Sequence, residues 1–253
     1  MKLRAFKTEL QKIQSLRALY LQENNFQIRY NACHERKWSD TYLLTLGDVN
    51  IAYGAIKGKE ELADRDAVFE FFVVPPFRKI ASKIFIELLR TSGAAFIECQ
   101  SNDLLLSSML YEFANGIYAD VFLFEDHVTT EYNNPGVIFR KKRDGDTIFH
   151  HQLEPVGEYV LELKGEIVAT GGFMLHYNIP FADLYMEVKE SSRRRGLGSF
   201  LLQELKRECY LSGRVPAARC SIENVASRET LVKAGLTISG FMLTADVKRM
   251  SRE

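Results

Sequence analysis

Shifted by 117 positions, so that Asp66 falls on Asp183, the chain matches itself without a gap. Thr41-Tyr-Leu-Leu-Thr-Leu lands on Glu158-Tyr-Val-Leu-Glu-Leu, and Ile51-Ala-Tyr-Gly-Ala-Ile lands on Val168-Ala-Thr-Gly-Gly-Phe. Glu70 meets Glu187, Arg78 meets Arg195 and Ser82 meets Ser199, while Glu87, Leu88 and Arg90 meet Glu204, Leu205 and Arg207. About a dozen identities fall in roughly fifty aligned positions, where chance gives about three. Such a match means that one order of strands and helices is used twice. The chain is therefore read as two copies of one α+β unit, residues 1–125 and 126–253. The polar stretch 125–135 separates them, with Asn133-Asn134-Pro135-Gly136 as its turn signal.

Hydrophobic periodicity gives each copy the same layout. In the first, 42–46 and 50–56 read as strands joined at Gly47-Asp48, a hairpin signal. A strand at 67–74, a helix at 78–90, a strand at 95–99, a helix at 103–114 and a closing strand at 121–124 follow. The second copy repeats this with strands at 158–163, 166–175 and 181–188 and a helix at 198–211 that lines up Leu201, Leu202 and Leu205. A strand at 217–221, a helix at 227–234 and a last strand at 240–247 complete it. Residues 8–23 read as an extra helix before the first copy only.

Charge and composition narrow the function. Thirty-three basic residues balance 33 acidic ones, so no global field recruits nucleic acid or a membrane surface. Local basic clusters at 140–143 and 193–195 suit small anionic ligands, although a solvated charge run is the simpler account of the first. The opening residues lack the apolar run of a signal peptide, and no apolar stretch has membrane-spanning length. The four cysteines form no CxxC pair and the five histidines no metal-ligand spacing, so no metal site is expected. Reduced cysteines and the absence of a leader point to the cytoplasm.

The chemistry is concentrated in Arg193-Arg194-Arg195-Gly196-Leu197-Gly198-Ser199. This stretch follows a strand and opens a helix. Gly196 and Gly198 take away side chains that would hold a phosphate off the backbone, and the helix start offers unpaired N–H groups and a positive dipole end. The arginines add charge and forked donors. The pattern is a pyrophosphate cradle, yet neither a Walker A loop nor a Rossmann fingerprint.

From about Val156 onward the second copy resembles the GNAT superfamily of acetyl-CoA-dependent acyltransferases. The likeness rests on the R/Q-x-x-G-x-G/A motif, here Arg193, Gly196 and Gly198, after a hydrophobic strand ending at Val188. It rests also on Asn224-Val-Ala-Ser227 followed by Lys233-Ala-Gly235-Leu236. The resemblance implies two tandem units, each a twisted, mixed but mostly antiparallel sheet flanked by helices, whose fourth and fifth strands splay around acetyl-CoA. It implies that Met186 and Val188 meet the pantetheine arm through backbone groups. It further implies that Arg193, Arg194, Arg195, Gly196, Leu197, Gly198 and Ser199 hold the pyrophosphate, and that Asn224 and Ser227 reach the coenzyme from the next helix. A helix cap followed by a surface serine is the plain alternative for those last two. The first copy has Pro76, Lys79 and Ala81 at the positions of Arg193, Gly196 and Gly198, and at the same offset Ser107 and Leu110 for Asn224 and Ser227. It is expected to be a degenerate GNAT-like domain without the cradle, and the two copies together could make an internal pseudo-dimer that functions as a monomer.

Transfer of acetyl to an amine needs a proton acceptor more than a proton donor, because a thiol of pKa about 8.5 leaves readily as thiolate. Leu231 occupies the position where many family members carry a tyrosine acid. On the strand before the loop, Asp183, Tyr185 and Glu187 share one face by period two. Glu187 is the first choice as base, with Tyr185 and His176 in reserve; Asp66 and Glu70 at the matching places of the first copy point equally to a structural role. The expected function is an N-acetyltransferase acting on a small-molecule or peptide amine, the alternative an acetyl-CoA-binding regulatory or scaffold module without turnover.

Overall fold

The computed structural model describes residues 1–27, 30–152 and 154–248. In chain order the strands are β1 (Leu3–Thr8), β2 (Ser39–Leu46), β3 (Val49–Lys57), β4 (Ala67–Val73), β5 (Phe96–Gln100), β6 (Ala114–Asp126), β7 (Val137–Lys141), β8 (Tyr159–Leu163), β9 (Glu166–Met174), β10 (Phe181–Val188), β11 (Val215–Ser221) and β12 (Leu236–Val247). The α-helices are α1 (Leu10–Glu23), α2 (Tyr30–Glu35), α3 (Ala81–Ser92), α4 (Leu104–Phe113), α5 (Leu197–Leu211) and α6 (Val225–Lys233). The stretch 8–23, read from its pattern as one helix, is the end of an edge strand followed by α1, and α2 and β7 carry too few periodic residues to be seen in the sequence. None of the helices among the described residues is long and apolar enough to cross a membrane.

Two compact units form. The first takes Met1–Val121 and the stretch from Gly240, the second Phe122–Ser239. The sequence boundary at 125/126 is therefore not where the fold divides. The last strand of the chain belongs with the first unit, because Met242 to Asp246 on β12 pair antiparallel with Gln100 to Phe96 on β5. The end of β6, which closes the first copy in sequence, belongs with the second unit. A self-match reports which residues correspond, not which strand neighbours which, so this exchange is invisible in the sequence.

In the first unit the strand order is β1-β2-β3-β4-β5-β12. All neighbours run antiparallel except β4 and β5, whose parallel ladder holds only Ala67↔Phe96 and Val68↔Ile97. Alternation sends Leu44 and Phe71 to one face, under Ile84, Phe85 and Leu88 of α3. It sends Leu43 and Phe72 to the other, under Ile13, Leu16 and Tyr20 of α1.

In the second unit the order is β6-β11-β10-β9-β8-β7. Here too a parallel pair occurs, β10 with β11. Helix α5 buries Leu197, Leu201, Leu202 and Leu205 against Leu161, Ala169 and Leu184. The repeat extends to packing detail. A Cβ on Gly54 would lie 2.3 Å from Leu88 Cδ2, and one on Gly171 would lie 2.8 Å from Leu205 Cδ1. In each copy a helix leucine sits directly on a strand glycine, 117 residues on from its counterpart, at an approach no side chain would permit.

Candidate active site

Strand β10 has two unequal sides. Towards β9 its ladder runs from Asp183↔Met174 to Val188↔Ala169, while towards β11 it stops after Phe181↔Val215, Ala182↔Pro216 and Asp183↔Ala217. Beyond Asp183 the two parallel strands part. The N–H of Lys189 donates to the Val168 carbonyl at 2.9 Å. Backbone groups alternate sides along a strand, so those of Tyr185 and Glu187 also face β9, and those of Met186 and Val188 face the gap. The Val188 carbonyl accepts from Arg193 Nε at 3.1 Å. The Val188 N–H points into the same gap by the same alternation.

The loop at the mouth of the gap is built by its glycines. A short 3-10 turn over Glu190–Ser192 ends at Arg193, Arg194 has φ 61°, and Gly196 caps α5 with φ 76°. The Phe200 N–H is the first to find a helical carbonyl, that of Gly196, at 3.1 Å. The N–H groups of Leu197, Gly198 and Ser199 thus fall in the turn that a helix leaves without internal acceptors. A Cβ on Gly198 would stand 2.9 Å from Thr230 Cγ2 and 3.2 Å from Met186 Cε, so a larger residue here would have to push the Thr230 and Met186 side chains aside. Arg193, Arg194 and Arg195 are exposed, whereas Leu197 and Ser199 are buried, and the Ser199 hydroxyl donates to the Thr230 carbonyl at 3.3 Å. The loop therefore presents main-chain amides and exposed guanidinium groups side by side, a lining that suits an anion. The first unit closes the equivalent place. There Pro75–Ile80 form a continuous 3-10 helix leading into α3, and its turn amides are taken internally, Phe77 N–H by the Val74 carbonyl and Ala81 N–H by that of Arg78.

On the face of β10 away from α5 stand Asp183, Tyr185 and Glu187. The Glu187 carboxylate, 9% exposed, accepts the Gln152 N–H at 3.1 Å on both oxygens and lies 3.3 Å from His151 Nδ1. That approach is too far off line for a hydrogen bond, and among the described residues the buried Nδ1 makes none. His151 is further fixed by Thr170 Oγ1, 3.0 Å from Nε2, and by stacking on Phe149. His176 Nε2 lies 3.4 Å from Asp183 Oδ2. Tyr185 is half-buried, its hydroxyl over Gly172. Burial, with the charges of Glu158 and Asp183, raises its phenol pKa.

The same arrangement occurs in the first unit. Glu70, fully buried, meets Arg17 Nη2 at 3.0 Å, His34 Nε2 at 3.0 Å and the Tyr53 hydroxyl at 3.0 Å. Burial pushes its carboxyl up, but the charges of Arg17 and His34 prevail and bring it down to about 2. His34, Tyr53 and Glu70 correspond by the 117-residue shift to His151, Thr170 and Glu187. His151 is thus the site residue that sequence reasoning overlooked. The signal existed, a histidine recurring at the repeat distance, but it lies upstream of the aligned strands. The His150-His151 doublet lies outside the strands; one ring is exposed and the other buried.

The remaining sequence candidates have defined partners. Asn224 Oδ1 caps α6 by accepting the Ser227 N–H at 3.0 Å, and the Ser227 side chain bonds the Cys220 thiol. Leu231 is buried in the core under α5. In the first unit the α4 cap is Asp103, accepting the Leu106 N–H, so the helix register has slipped and Ser107 is not the counterpart of Asn224. Arg140 of the basic run is bound to Asp146 through both terminal nitrogens at 2.8 Å and to Glu162 through Nε at 2.9 Å. Among the described residues no group of three or more His, Cys, Asp or Glu is placed to hold a metal ion.

Residues 122–236 match the family model described as acetyltransferase (GNAT) family, a span that starts at the first residue of the second unit. No curated protein matches the sequence. Among solved structures, an acetyltransferase from the GNAT family of Colwellia psychrerythraea superposes with a TM-score of 0.75 at 14% identity, covering 98% of this chain and 100% of that one. A tandem GNAT protein from the clavulanic acid biosynthesis pathway gives 0.57 at 11% identity over 99% and 100%. A Drosophila protein gives 0.56 at 16% over 98% and 99%. At such identities the superpositions show the fold alone, and the two comparisons agree: residues 122–236 are similar to the acetyltransferase (GNAT) family, and the chain has the fold of GNAT proteins.

Proposed function

We propose that the second unit is an N-acetyltransferase that moves the acetyl group of acetyl-CoA to an amine. The observation that carries this reading is the gap between β10 and β11, lined by the backbone of Met186 and Val188 and ending at the Gly196 turn. In this reading the amides of Leu197, Gly198 and Ser199, with Arg193, Arg194 and Arg195, hold the diphosphate. The Val188 N–H donates to the acetyl carbonyl oxygen and steadies the negative charge that develops there. Acetyl-CoA, as acyl donor, supplies the activated carbonyl and a thiolate that leaves without strong acid help.

Glu187 takes the proton from the attacking amine. Its counterpart Glu70 is held ionised by the charges of Arg17 and His34, a setting for structure, whereas Glu187 is set among backbone N–H and imidazole without a guanidinium among its named contacts. Tyr185, with its raised pKa, is a protonated donor at neutral pH in the place of the tyrosine that Leu231 replaces. Asn224 and Ser227 reach the coenzyme only from α6, and their capping roles support a structural part as well. The test is thiol release from acetyl-CoA with a panel of amines, alongside calorimetric binding of the coenzyme. Turnover with at least one amine is expected. Tight binding without release on any amine favours the second reading, a coenzyme-binding module, for which the burial of Leu231 speaks.

A further inference from the structure

The first unit keeps a cavity of about 250 Å³ at the place where the second has its gap. The ladder of β4 and β5 stops at Val68↔Ile97, and the two parallel strands part beyond it. Phe71 and Arg78 line the cavity and correspond by the 117-residue shift to Val188 and Arg195. Leu104 and Leu105 line it from the start of α4, the helix that follows β5 as α6 follows β11. The two places differ in charge. In the second unit three exposed arginines precede α5, and the cap of α6 is the neutral Asn224. In the first, both features that attract an anion are met by carboxylates of the chain itself. Arg78 donates to Glu23 at 2.5 Å and to the Val73 carbonyl at 3.1 Å. Asp103 caps α4, its Oδ1 accepting the Leu106 N–H at 3.0 Å. Glu23, Arg78 and Asp103 all line the cavity, so these groups together carry one negative charge.

Asp103 also lacks the partner that a buried carboxylate ordinarily has. It is 2% exposed, and its named partners are the Leu106 amide and the Tyr20 hydroxyl, both neutral. Glu70, buried on β4, has Arg17 and His34. Beside Asp103, Asn102 donates Nδ2 to the Asn25 carbonyl at 2.6 Å, while its buried Oδ1 accepts no hydrogen bond among the described residues. This wall therefore offers acceptors in want of donors. Phe71, Phe72 and Leu105 give the lining an apolar part.

We propose that this cavity of the first unit binds a small organic cation of the amidinium or guanidinium class, its N–H donors on Asp103 and Asn102 and its apolar body on Phe71, Phe72 and Leu105. A planar fork of donors suits a carboxylate, and each Asp103 oxygen keeps a second lone pair beyond the bond it already accepts. The volume lies below the roughly 300–1,000 Å³ of pockets that take drug-sized ligands, so the body is about one ring in size. The ligand is held there and not acylated. The amides of Phe77 and Ala81 are taken internally at the turn where the second unit opens its loop, which leaves an acyl donor's diphosphate no such grip. The inference is independent of the acetyltransferase reading, whose residues all lie in the second unit.

The test is calorimetric titration of the full chain with benzamidinium, and with neutral benzamide and anionic benzoate of the same outline. It is run at pH 8, above the value of about 6 to which burial raises Asp103. Benzamidinium is expected to bind the wild-type protein one to one and at least tenfold more tightly than benzamide, with benzoate weaker still. Asp103→Asn keeps a capping oxygen and should weaken benzamidinium at least tenfold. Leu104 is 78% exposed at the start of α4, so Leu104→Arg sets a cation at the mouth without disturbing the core, and it should weaken benzamidinium at least fivefold. If Asp103→Asn does not fold, Leu104→Arg decides. No binding of benzamidinium, equal binding by the folded variants, or benzamide bound as tightly as benzamidinium would overturn the inference. A separate titration with acetyl-CoA keeps the two readings apart: a wild-type chain that takes benzamidinium but no coenzyme would overturn the acetyltransferase reading and support this one.

Discussion

His151 faces Glu187 across 3.3 Å in the second unit, as His34 faces Glu70 across 3.0 Å in the first. One scaffold thus carries the same acid–imidazole pair twice, with different surroundings. In the first unit Arg17 and Tyr53 complete the cluster and fix its charge. In the second, backbone N–H and Thr170 hold the pair beside the gap between β10 and β11. The divergence of the copies is a divergence of what approaches this pair, and it fits a division into a structural and a working unit.

If Glu187 accepts the amine proton, Glu187→Gln lowers kcat/KM by about 10²–10³. Steady-state kinetics across pH checks this. An unchanged kcat across the whole range would remove Glu187 from the mechanism.

Replacing Arg17 by Met leaves Glu70 buried with the His34 imidazole and the Tyr53 hydroxyl but without its guanidinium. The loss of one partner of a buried ion pair costs about 3–5 kcal/mol, measurable by denaturant unfolding. The pH sign follows from Glu70 itself. Its folded pKa, about 2, lies below the ordinary 4.5, so its contribution is present above 4.5 and is lost as pH falls from there to 2. In wild type this contribution is roughly 3 kcal/mol, and in Arg17→Met it should shrink.

Asp103 behaves oppositely. Its carboxyl caps α4 and accepts the Tyr20 hydroxyl at 3.0 Å, and burial raises its pKa from 3.8 to about 6. The folded state then keeps a proton that the unfolded chain releases. Stability is highest below 3.8 on this account and declines as pH rises to 6, by about 2–3 kcal/mol. Asp103→Asn retains a capping oxygen and should flatten this decline; an equally steep decline in the variant would refute the assignment.

How far the chain can be read without its fold is clear from particular residues. Gly196 and Gly198 announce the loop because the first takes a positive φ that favours glycine and the second leaves room beside Thr230 and Met186, and the period-two pattern of 181–188 assigned Asp183, Tyr185 and Glu187 to one face. The partners of these residues were not legible. Arg17 reaches Glu70, and His151 reaches Glu187, only through tertiary packing over the strands, which the local pattern of the helix carrying Arg17 does not specify. The pairing of β12 with β5 was hidden for the same reason: strand neighbours depend on long-range closure, while sequence pattern is local. Arg140 looked like a solvated charge because Glu162 is 22 residues away in the chain.

Gly198→Val tests the convergence of α5, α6 and β10. Its side chain would meet Thr230 Cγ2 within 2.9 Å, so a stability loss of about 1–3 kcal/mol from overpacking is expected. Coenzyme affinity should fall with it. A variant as stable as wild type with unaltered affinity would show that this approach is not needed.

The central claim is that main-chain amides at the Gly196 turn grip the coenzyme's diphosphate, and Gly196→Glu addresses it most directly. The position opens on free space, so a Cβ there meets nothing within 4 Å, and the positive φ costs about 1 kcal/mol. The new carboxylate stands at the start of α5, where it repels an anion. Calorimetric titration with acetyl-CoA should show affinity reduced at least tenfold in a protein that remains folded by circular dichroism. A dissociation constant equal to that of wild type would contradict the account.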